Sequence, residues 1–130
     1  MRSGGLDRPY PTGSESLLRN LVDSGGLVVS EYPLGAQPAR VRSIASRRLT
    51  AALSDATVIV EAGKRSGAHA NAAAAQALGR PLYAVPGPVT SPRSWGTNEL
   101  IRQGVATAIA AADQVVSQSG ERAPLATPRP

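Results

Sequence analysis

The sequence predicts an α/β fold in which helices cover a parallel β-sheet. Short apolar runs recur along the chain, and helical stretches of about ten residues separate them. One run, "ATVIVEA" at residues 56–62, is continuously apolar up to Glu61. A continuously apolar strand is typical of a sheet with helices on both faces. Strands that alternate with helices form βαβ units, in which ligands bind at the carboxyl ends of the strands.

The strands are predicted from apolar runs that end at Pro, Gly or a charged residue. "LVVSEYP" ends at Pro33, and "PLYAVPG" ends at Pro86 and Gly87. "VATAI" is a weaker run of the same kind. We therefore expect three central strands and a weaker fourth one, at residues 27–31, 57–61, 82–85 and 105–109.

The helices are predicted from apolar spacing and from capping residues at their ends. The first helix begins after Ser14 and ends at the pair Gly25-Gly26. The second is expected from Ile44 to Ser54, with Ser43 as its cap. The remaining helices are expected in Gly67 to Leu78, with Ser66 as cap and Gly79 as stop, in "GTNELIRQG" and in "AADQVVSQ".

The composition indicates one small domain with a core of small side chains. The chain has 130 residues, no Phe, one Trp and no Cys. Its core must therefore consist of Ala, Val, Leu and Ile, without disulfides or thiolate sites. Residues 119–130 lose all periodicity, which predicts a domain over residues 1–118 and a disordered tail. No run is typical of a bilayer span or a signal peptide, which favours a cytoplasmic protein.

The charge favours a polyanionic partner without identifying one. The formal net charge is +5 at pH 7, and 13 of the 14 basic residues are Arg. Arg clusters neutralise phosphates and gain affinity by releasing counterions. A composition rich in alanine and arginine also follows from a genome rich in G and C. Net charge alone therefore leaves nucleic-acid binding and compositional bias equally open.

A candidate anion site lies in "VIVEAGKRSGAHANA" at residues 58–72, where the clearest strand runs through a charged loop into a helix. Two cations, a hydroxyl and two free amide groups would together suit a phosphate or a carboxylate. They belong to Lys64, Arg65, Ser66, Gly67 and Ala68. The alternative is that Ser66 only caps the helix and both cations are solvated. The loop is neither a Walker A sequence nor a dinucleotide-binding fingerprint.

Two further segments carry candidate phosphate contacts. "ARVRSIASRR" contains four Arg and no acidic residue: Arg40 and Arg42, expected in a loop, and Arg47 and Arg48, expected at a helix start. They form either a phosphate-tracking patch or a solvated charged face. "WGTNEL" offers Thr97 or Asn98 as a helix cap, whose neighbouring amides could hold another phosphate. Capping alone also explains that segment.

The sequence contains no arrangement of residues that indicates catalysis or a bound metal. No Ser-His-Asp set and no metal cluster is visible, so we expect no enzyme activity and no cofactor. His69 is the one histidine, and we expect it to be packed or solvent-facing. Glu61 is expected to form an ion pair with a neighbouring cation or to hold the loop through backbone amides.

Five segments, in order, resemble successive motifs of the DNA-processing protein A (DprA/Smf) family. They are "GLDRPYP", "SEYPLG", "VEAGKRSG", "GRPLYAVPG" and "GTNELIRQG", and they cover most of residues 5–116. The resemblance implies a truncated Rossmann-like parallel sheet of three to four strands, equivalent to the carboxyl-terminal half of the family's domain. Where the family commonly has Phe-Pro-x-Arg-Asn-Arg, this sequence has "SIASRR" and matches only at Arg48.

The resemblance also implies a non-enzymatic protein that binds single-stranded DNA and loads RecA during natural transformation. The Lys64 loop and the Arg40 to Arg48 segment would follow one phosphate chain, because neighbouring strand ends of a parallel sheet lie about 5 Å apart. An uncovered sheet edge would favour a homodimer or a higher oligomer. Two alternatives stay open: a Rossmann-like protein that binds phosphorylated nucleosides, and a remnant or interaction module whose site has decayed.

Overall fold

The computed structural model of the chain describes residues 3–11 and 13–116. The chain divides into two compact units, Met1–Thr50 and Ala51–Pro130. The disordered tail expected after residue 118 lies outside the described residues. The expectation of a single domain stays a prediction.

The first unit contains α1 (Glu15–Asp23), α2 (Arg40–Ala45) and the start of α3 (Arg47–Leu53). The helix predicted after Ser14 is confirmed by α1. This helix ends in a Schellman turn, in which the amide of Gly26 donates to Leu21 O at 2.8 Å and Gly25 has φ +83°. Glycine is favoured there because side chains are strained in the left-handed region.

The prediction of one helix from Ile44 to Ser54 is wrong, because the chain forms two shorter helices that are separated at Ser46. The first of them, α2, already begins at Arg40, so Ser43 lies inside this helix and does not cap it. Arg42, expected in a loop like Arg40, is also helical. The Ser46 hydroxyl is buried and donates to Ser43 O at 3.0 Å. Such a bond to the preceding turn competes with the helical ladder.

The prediction of a strand at residues 27–31 is also wrong. In the described part of the chain, no strand forms there and none of the three strands pairs with this run. An apolar run becomes a strand only where a neighbouring backbone supplies its hydrogen bonds. Here the end of the run is held by a side chain instead, because the Ser30 hydroxyl donates to Gly4 O at 2.7 Å.

The second unit is a parallel sheet with helices packed on it. Its strands are β1 (Thr57–Ile59), β2 (Leu82–Ala84) and β3 (Thr107–Ala108), and its helices are α4 (Ala68–Ala77), α5 (Trp95–Arg102) and α6 (Asp113–Val116). The strand order is β1-β2-β3, and Tyr83 of β2 lies opposite Val58 on one side and Thr107 on the other. The predicted α/β class with a parallel sheet is confirmed, and the weak run near residue 107 supplies the third strand.

The core of the second unit consists mainly of alanine, as the composition predicts. The main buried cluster contains Ile59, Leu82 and six Ala, and Tyr83 and Ile109 are buried beside it. Helix α4 buries Ala72 and Ala75, which lie one turn apart on the face toward the sheet. Small side chains on this face allow the helix to pack closely on the strands. Gly79 follows the end of α4 with φ +63°, as predicted.

Helix α5 carries a carboxylate whose pKa the fold depresses. Arg102 donates to Glu99 through Nε at 2.8 Å and through Nη2 at 2.6 Å, and Gln103 Nε2 donates to the same carboxylate at 2.5 Å. The hydrogen bond from Arg102, followed by that from Gln103, lowers the pKa of Glu99 from 4.5 to about 2. A carboxylate with a depressed pKa stabilises the fold above its unfolded-state pKa, and this stability is lost as the pH falls toward the folded-state value.

We expect Glu99→Gln to flatten the acid side of the stability profile. The melting temperature of the unsubstituted protein should fall more between about pH 5 and pH 2 than that of Glu99→Gln, which lacks the titrating group. Thermal melts followed by circular dichroism across this range measure the difference. Glu15→Gln, which removes an exposed carboxylate on α1, serves as the control. If Glu99→Gln and the unsubstituted protein lose melting temperature in parallel, the Arg102 contact does not stabilise the folded chain.

Candidate functional site

The loops that follow β1 and β2 meet at the carboxyl ends of these parallel strands. We refer to residues 60–67 and 85–94 as the strand-end loops. The amide of Ala62 donates to Arg93 O at 2.8 Å, which joins the two loops. The amide of Gly96 donates back to Ala62 O at 2.6 Å, which joins the first loop to the start of α5. The site is therefore built from backbone contacts between segments that are about thirty residues apart in the sequence.

Gly96 is needed for this close approach. A Cβ atom at this position would lie 2.7 Å from both Ala62 Cβ and Ala62 O, and 2.6 Å from His69 Cε1. Real Cβ atoms do not make contacts this short, so any side chain at Gly96 would push the loop away from α5. Because Gly96 has no side chain, α5 can approach the first strand-end loop closely enough for the neighbouring Trp95 ring to contact Lys64.

The predictions that Thr97 or Asn98 caps a helix are wrong, because α5 begins at Trp95 and both residues lie inside it. Thr97 is fully buried and its hydroxyl donates to Ser94 O at 3.1 Å, so this hydroxyl is closed to a ligand. Asn98 accepts the amide of Gly87 at 3.1 Å and donates to Gly87 O at 2.9 Å. Asn98 therefore fixes the second strand-end loop instead of offering its side chain to an anion.

The prediction of free amide groups at the start of α4 is wrong for Ala68, whose amide is already bonded. The amide of Ala68 donates to the Ser66 hydroxyl at 3.2 Å, and the amide of Ser66 donates to Gly63 O at 3.0 Å. The prediction that Ser66 caps α4 is wrong, because Gly67 occupies the N-cap position and no side chain caps the helix there. Ser66 lies one residue earlier and accepts only the Ala68 amide. Because Ser66 accepts one hydrogen bond, its hydroxyl proton can still be donated to an anion.

The cationic side chains of the strand-end loops remain open to solvent. Lys64 and Arg65 are both exposed. Glu61 forms an ion pair with Arg93, with 3.8 Å between Oε2 and Nη1, and not with either cation of its own loop. Sequence reasoning missed Arg93, although a basic residue in the loop after β2 was visible in the sequence. The site therefore contains three cations, Lys64, Arg65 and Arg93, and one carboxylate, Glu61, which pairs with Arg93.

An aromatic group lies beside these cations. Lys64 Nζ lies over the Trp95 ring, 5.4 Å from its centroid. His69 packs edge-on to the same ring, with the two centroids 6.2 Å apart and the planes at 69°. His69 Nε2 donates to Gly63 O at 2.9 Å, so this histidine is packed, which is one of the two arrangements expected for it. Trp95 also lines a cleft of about 500 Å³ between the loops, together with Val89 and other residues of the second strand-end loop.

The first unit carries a separate group of arginines. Arg42 donates to Gln37 O at 2.6 Å, and its guanidinium lies over the Tyr32 ring, 5.1 Å from the centroid. Arg48 forms an ion pair with Glu31. Burial, followed by the negative charge of Glu31, raises the pKa of Tyr32. Two of the four predicted arginines are thus oriented by contacts within their own unit.

The other two arginines of this group, Arg40 and Arg47, also lie on α2 and α3. Arg40 is exposed on α2 and lines a cleft of about 570 Å³ with Tyr10, Ser43 and Ser46. Arg47 is half-buried at the start of α3. Because α2 and α3 carry all four arginines within nine residues, this surface concentrates positive charge.

Two classes of feature are not found in the residues that the structure describes. Within residues 3–11 and 13–116, no three His, Cys, Asp or Glu side chains come together in a way that could hold a metal ion. Within the same residues, no helix is long and apolar enough to cross a membrane.

Comparison with known proteins identifies the family. The family model of DNA recombination-mediator protein A matches residues 2–120. A DprA relative from Mycobacterium tuberculosis is 48% identical over 98% of this chain and 33% of its own length. Protein Smf of Escherichia coli is 37% identical over 77% of this chain and 27% of its own length. The chain thus spans about a third or less of these curated relatives.

Two solved structures share the fold. DNA processing protein A from Helicobacter pylori, whose structure describes a single-stranded DNA binding mode, superposes with a TM-score of 0.77 and 32% identity over 89% of this chain and 53% of its own. DNA processing protein A from Streptococcus pneumoniae gives a TM-score of 0.78 and 31% identity over 89% of this chain and 40% of its own. The order of the sequence motifs, the parallel sheet and these matches agree, and the chain therefore belongs to the DNA recombination-mediator protein A (DprA/Smf) family.

Proposed function

We propose that this chain binds single-stranded DNA through its exposed cations and catalyses no reaction. The observation that carries the proposal is the group of open cationic side chains, Lys64 and Arg65, at the carboxyl ends of the parallel strands. Ligands of open parallel sheets bind at this edge. Family membership and the single-stranded DNA binding mode of the Helicobacter pylori relative support DNA as the polyanion.

Each unit supplies its own phosphate contacts in this proposal. In the second unit, Lys64 and Arg65 neutralise phosphates and the Ser66 hydroxyl donates to one of them. In the first unit, the arginines of α2 and α3 neutralise further phosphates, and the oriented guanidinium of Arg42 is ready for a bidentate contact. These contacts read the phosphate backbone, so the chain should bind with little sequence preference.

A nucleotide-binding role is the second candidate. The cleft of about 500 Å³ between the strand-end loops favours it, because a volume in the range of about 300–1,000 Å³ is typical of small-molecule sites. Its rim carries Lys64, which would suit a terminal phosphate. In this case a mononucleotide would occupy the site alone, without help from the first unit.

Two binding measurements separate the candidates. Fluorescence anisotropy with a labelled thymidine oligonucleotide, at several salt concentrations, should show binding that weakens steeply as salt rises. A thermal-shift screen of mononucleotides should show little stabilisation. Strong stabilisation by a nucleotide with no oligonucleotide binding would favour the second candidate. If the protein binds neither an oligonucleotide nor a nucleotide, its site has decayed. Chromatography of both ligands after incubation should show no hydrolysis product.

We also propose that the chain self-associates. The first unit exposes several large apolar side chains, among them Leu17, which is 67% exposed, and Leu27, which is 81% exposed. Apolar side chains that are exposed to this degree are commonly buried by association when they lie together. Sedimentation velocity over a range of concentrations should show a species larger than the monomer, and a single monomer peak at all concentrations would contradict this. Contact with RecA, which the family resemblance implies, stays a prediction.

A further inference from the structure

The aromatic ring beside the exposed cations lies where a base could bind. Trp95 is 42% exposed even though its ring touches both His69 and Lys64. Its backbone is fixed by the neighbouring Gly96, whose amide bonds to Ala62 O, and its ring is held by the T-shaped contact with His69. A rigid, half-exposed ring of this kind does not itself have to move before a flat ligand stacks on it.

The Lys64 ammonium is a weak occupant of the ring face. A cation–π contact at an exposed site contributes roughly two- to fivefold in affinity, whereas stacking of one base on an aromatic side chain contributes roughly 5- to 150-fold. A base can therefore replace the ammonium on the Trp95 face. The displaced Lys64 stays within reach of the phosphate next to that base, because its long side chain is exposed and flexible.

The surroundings favour a nucleic-acid base over an apolar protein side chain. Arg65 lies exposed next to Lys64 in the same loop, so anionic groups are favoured near the ring. Val89 is 94% exposed across the same cleft and offers an apolar surface to the other face or edge of a base. A ring face between cations and an apolar side chain matches the alternation of bases and phosphates along an unpaired strand.

We infer that Trp95 is a stacking platform for one unpaired base, and that Lys64 moves from the Trp95 ring to the adjacent phosphate when the strand binds. This inference rests on the proposed single-strand binding and adds a base contact to the phosphate contacts. It assigns the cleft of about 500 Å³ to that base.

The chain's single tryptophan makes the inference directly measurable. Titration with a thymidine oligonucleotide should quench Trp95 fluorescence in step with binding followed by anisotropy. An abasic oligonucleotide of equal length carries the same phosphates and should bind without comparable quenching. Trp95→Ala should weaken binding of the thymidine oligonucleotide about tenfold, whereas Trp95→Phe should retain most of the affinity. Gln76→Ala, at an exposed position of α4, should match the unsubstituted protein.

The possible results distinguish the stacking platform from single-strand binding itself. Oligonucleotide binding that leaves Trp95 fluorescence unchanged, with equal affinity for the abasic strand, would overturn the stacking platform and leave the proposed function intact. Absence of oligonucleotide binding would overturn both. Stronger quenching by an acidic peptide than by the oligonucleotide would identify a protein partner and overturn the assignment of a base. Because the quenching is measured on the unsubstituted protein, the test holds even if Trp95→Ala fails to fold.

Discussion

Gly96→Ala is expected to destabilise the protein by about 2–3 kcal/mol. The new Cβ would meet Ala62 at 2.7 Å and His69 Cε1 at 2.6 Å. One of the atoms it meets is the Ala62 carbonyl oxygen, which belongs to the backbone and cannot rotate away. The loop must therefore shift, and the hydrogen bond from the Gly96 amide to Ala62 O is weakened or lost. Urea unfolding followed by circular dichroism measures the change.

The same loop supplies a matched control for this substitution. At Gly63 an added Cβ would have only Pro92 O nearby, at 3.5 Å, which is an ordinary contact. Gly63→Ala should therefore change the free energy of unfolding by no more than about 0.5 kcal/mol. Equal stability of Gly96→Ala and Gly63→Ala would show that the first strand-end loop does not pack against α5 as described.

The double substitution Lys64→Ala/Arg65→Ala is expected to make single-strand binding weaker and less dependent on salt. Each phosphate that a protein neutralises contributes about −0.7 to the slope of log affinity against log salt for a single strand. Losing two cations should therefore flatten the slope by roughly one to two units. Anisotropy titrations at several salt concentrations measure both the affinity and the slope.

A control with the same loss of net charge separates the site from general electrostatics. Arg8→Ala/Arg19→Ala removes two exposed arginines of the first unit that are not part of the proposed contacts. It should leave the slope nearly unchanged, while both double variants keep the melting temperature of the parent. If the two double variants flatten the slope equally, net charge and not the strand-end loop sets the affinity. An unchanged slope in Lys64→Ala/Arg65→Ala would mean that the loop only caps α4.

The parts of the fold that could be predicted are those that depend on local sequence. Both apolar runs form strands, and β2 is buried throughout, as expected of a strand that helices cover on both faces. β1 was predicted to be covered in the same way, but its Val58 is 38% exposed. Gly79 marked the end of α4 because helix termination at a left-handed glycine is local. Ser66 missed the start of α4 by one position, since Gly67 is the N-cap. The same local logic failed at residues 27–31, where a strand depends on a partner backbone that the run itself does not specify.

The open cations of the site could be predicted, but their partners could not. Lys64 and Arg65 are exposed at the end of β1, as the charged loop indicated. The contact of Lys64 with Trp95 and the ion pair of Glu61 with Arg93 each join residues about thirty positions apart. These residues come together only because β1 pairs with β2 in parallel, and this pairing cannot be predicted from a short stretch of sequence. Thr97 was misjudged for the same reason, because its burial is decided by tertiary packing.

Photo-crosslinking of a thymidine oligonucleotide that carries photoreactive bases, followed by mass spectrometry of the peptides, identifies the residues that lie against a bound strand. We expect crosslinks in the strand-end loops near Lys64 and at Trp95, and further crosslinks in the segment from Arg40 to Arg48. These crosslinks should disappear at high salt, because the phosphate contacts position the strand. Crosslinks confined to α1, or no crosslinks at any salt concentration, would contradict single-strand binding through these exposed cations.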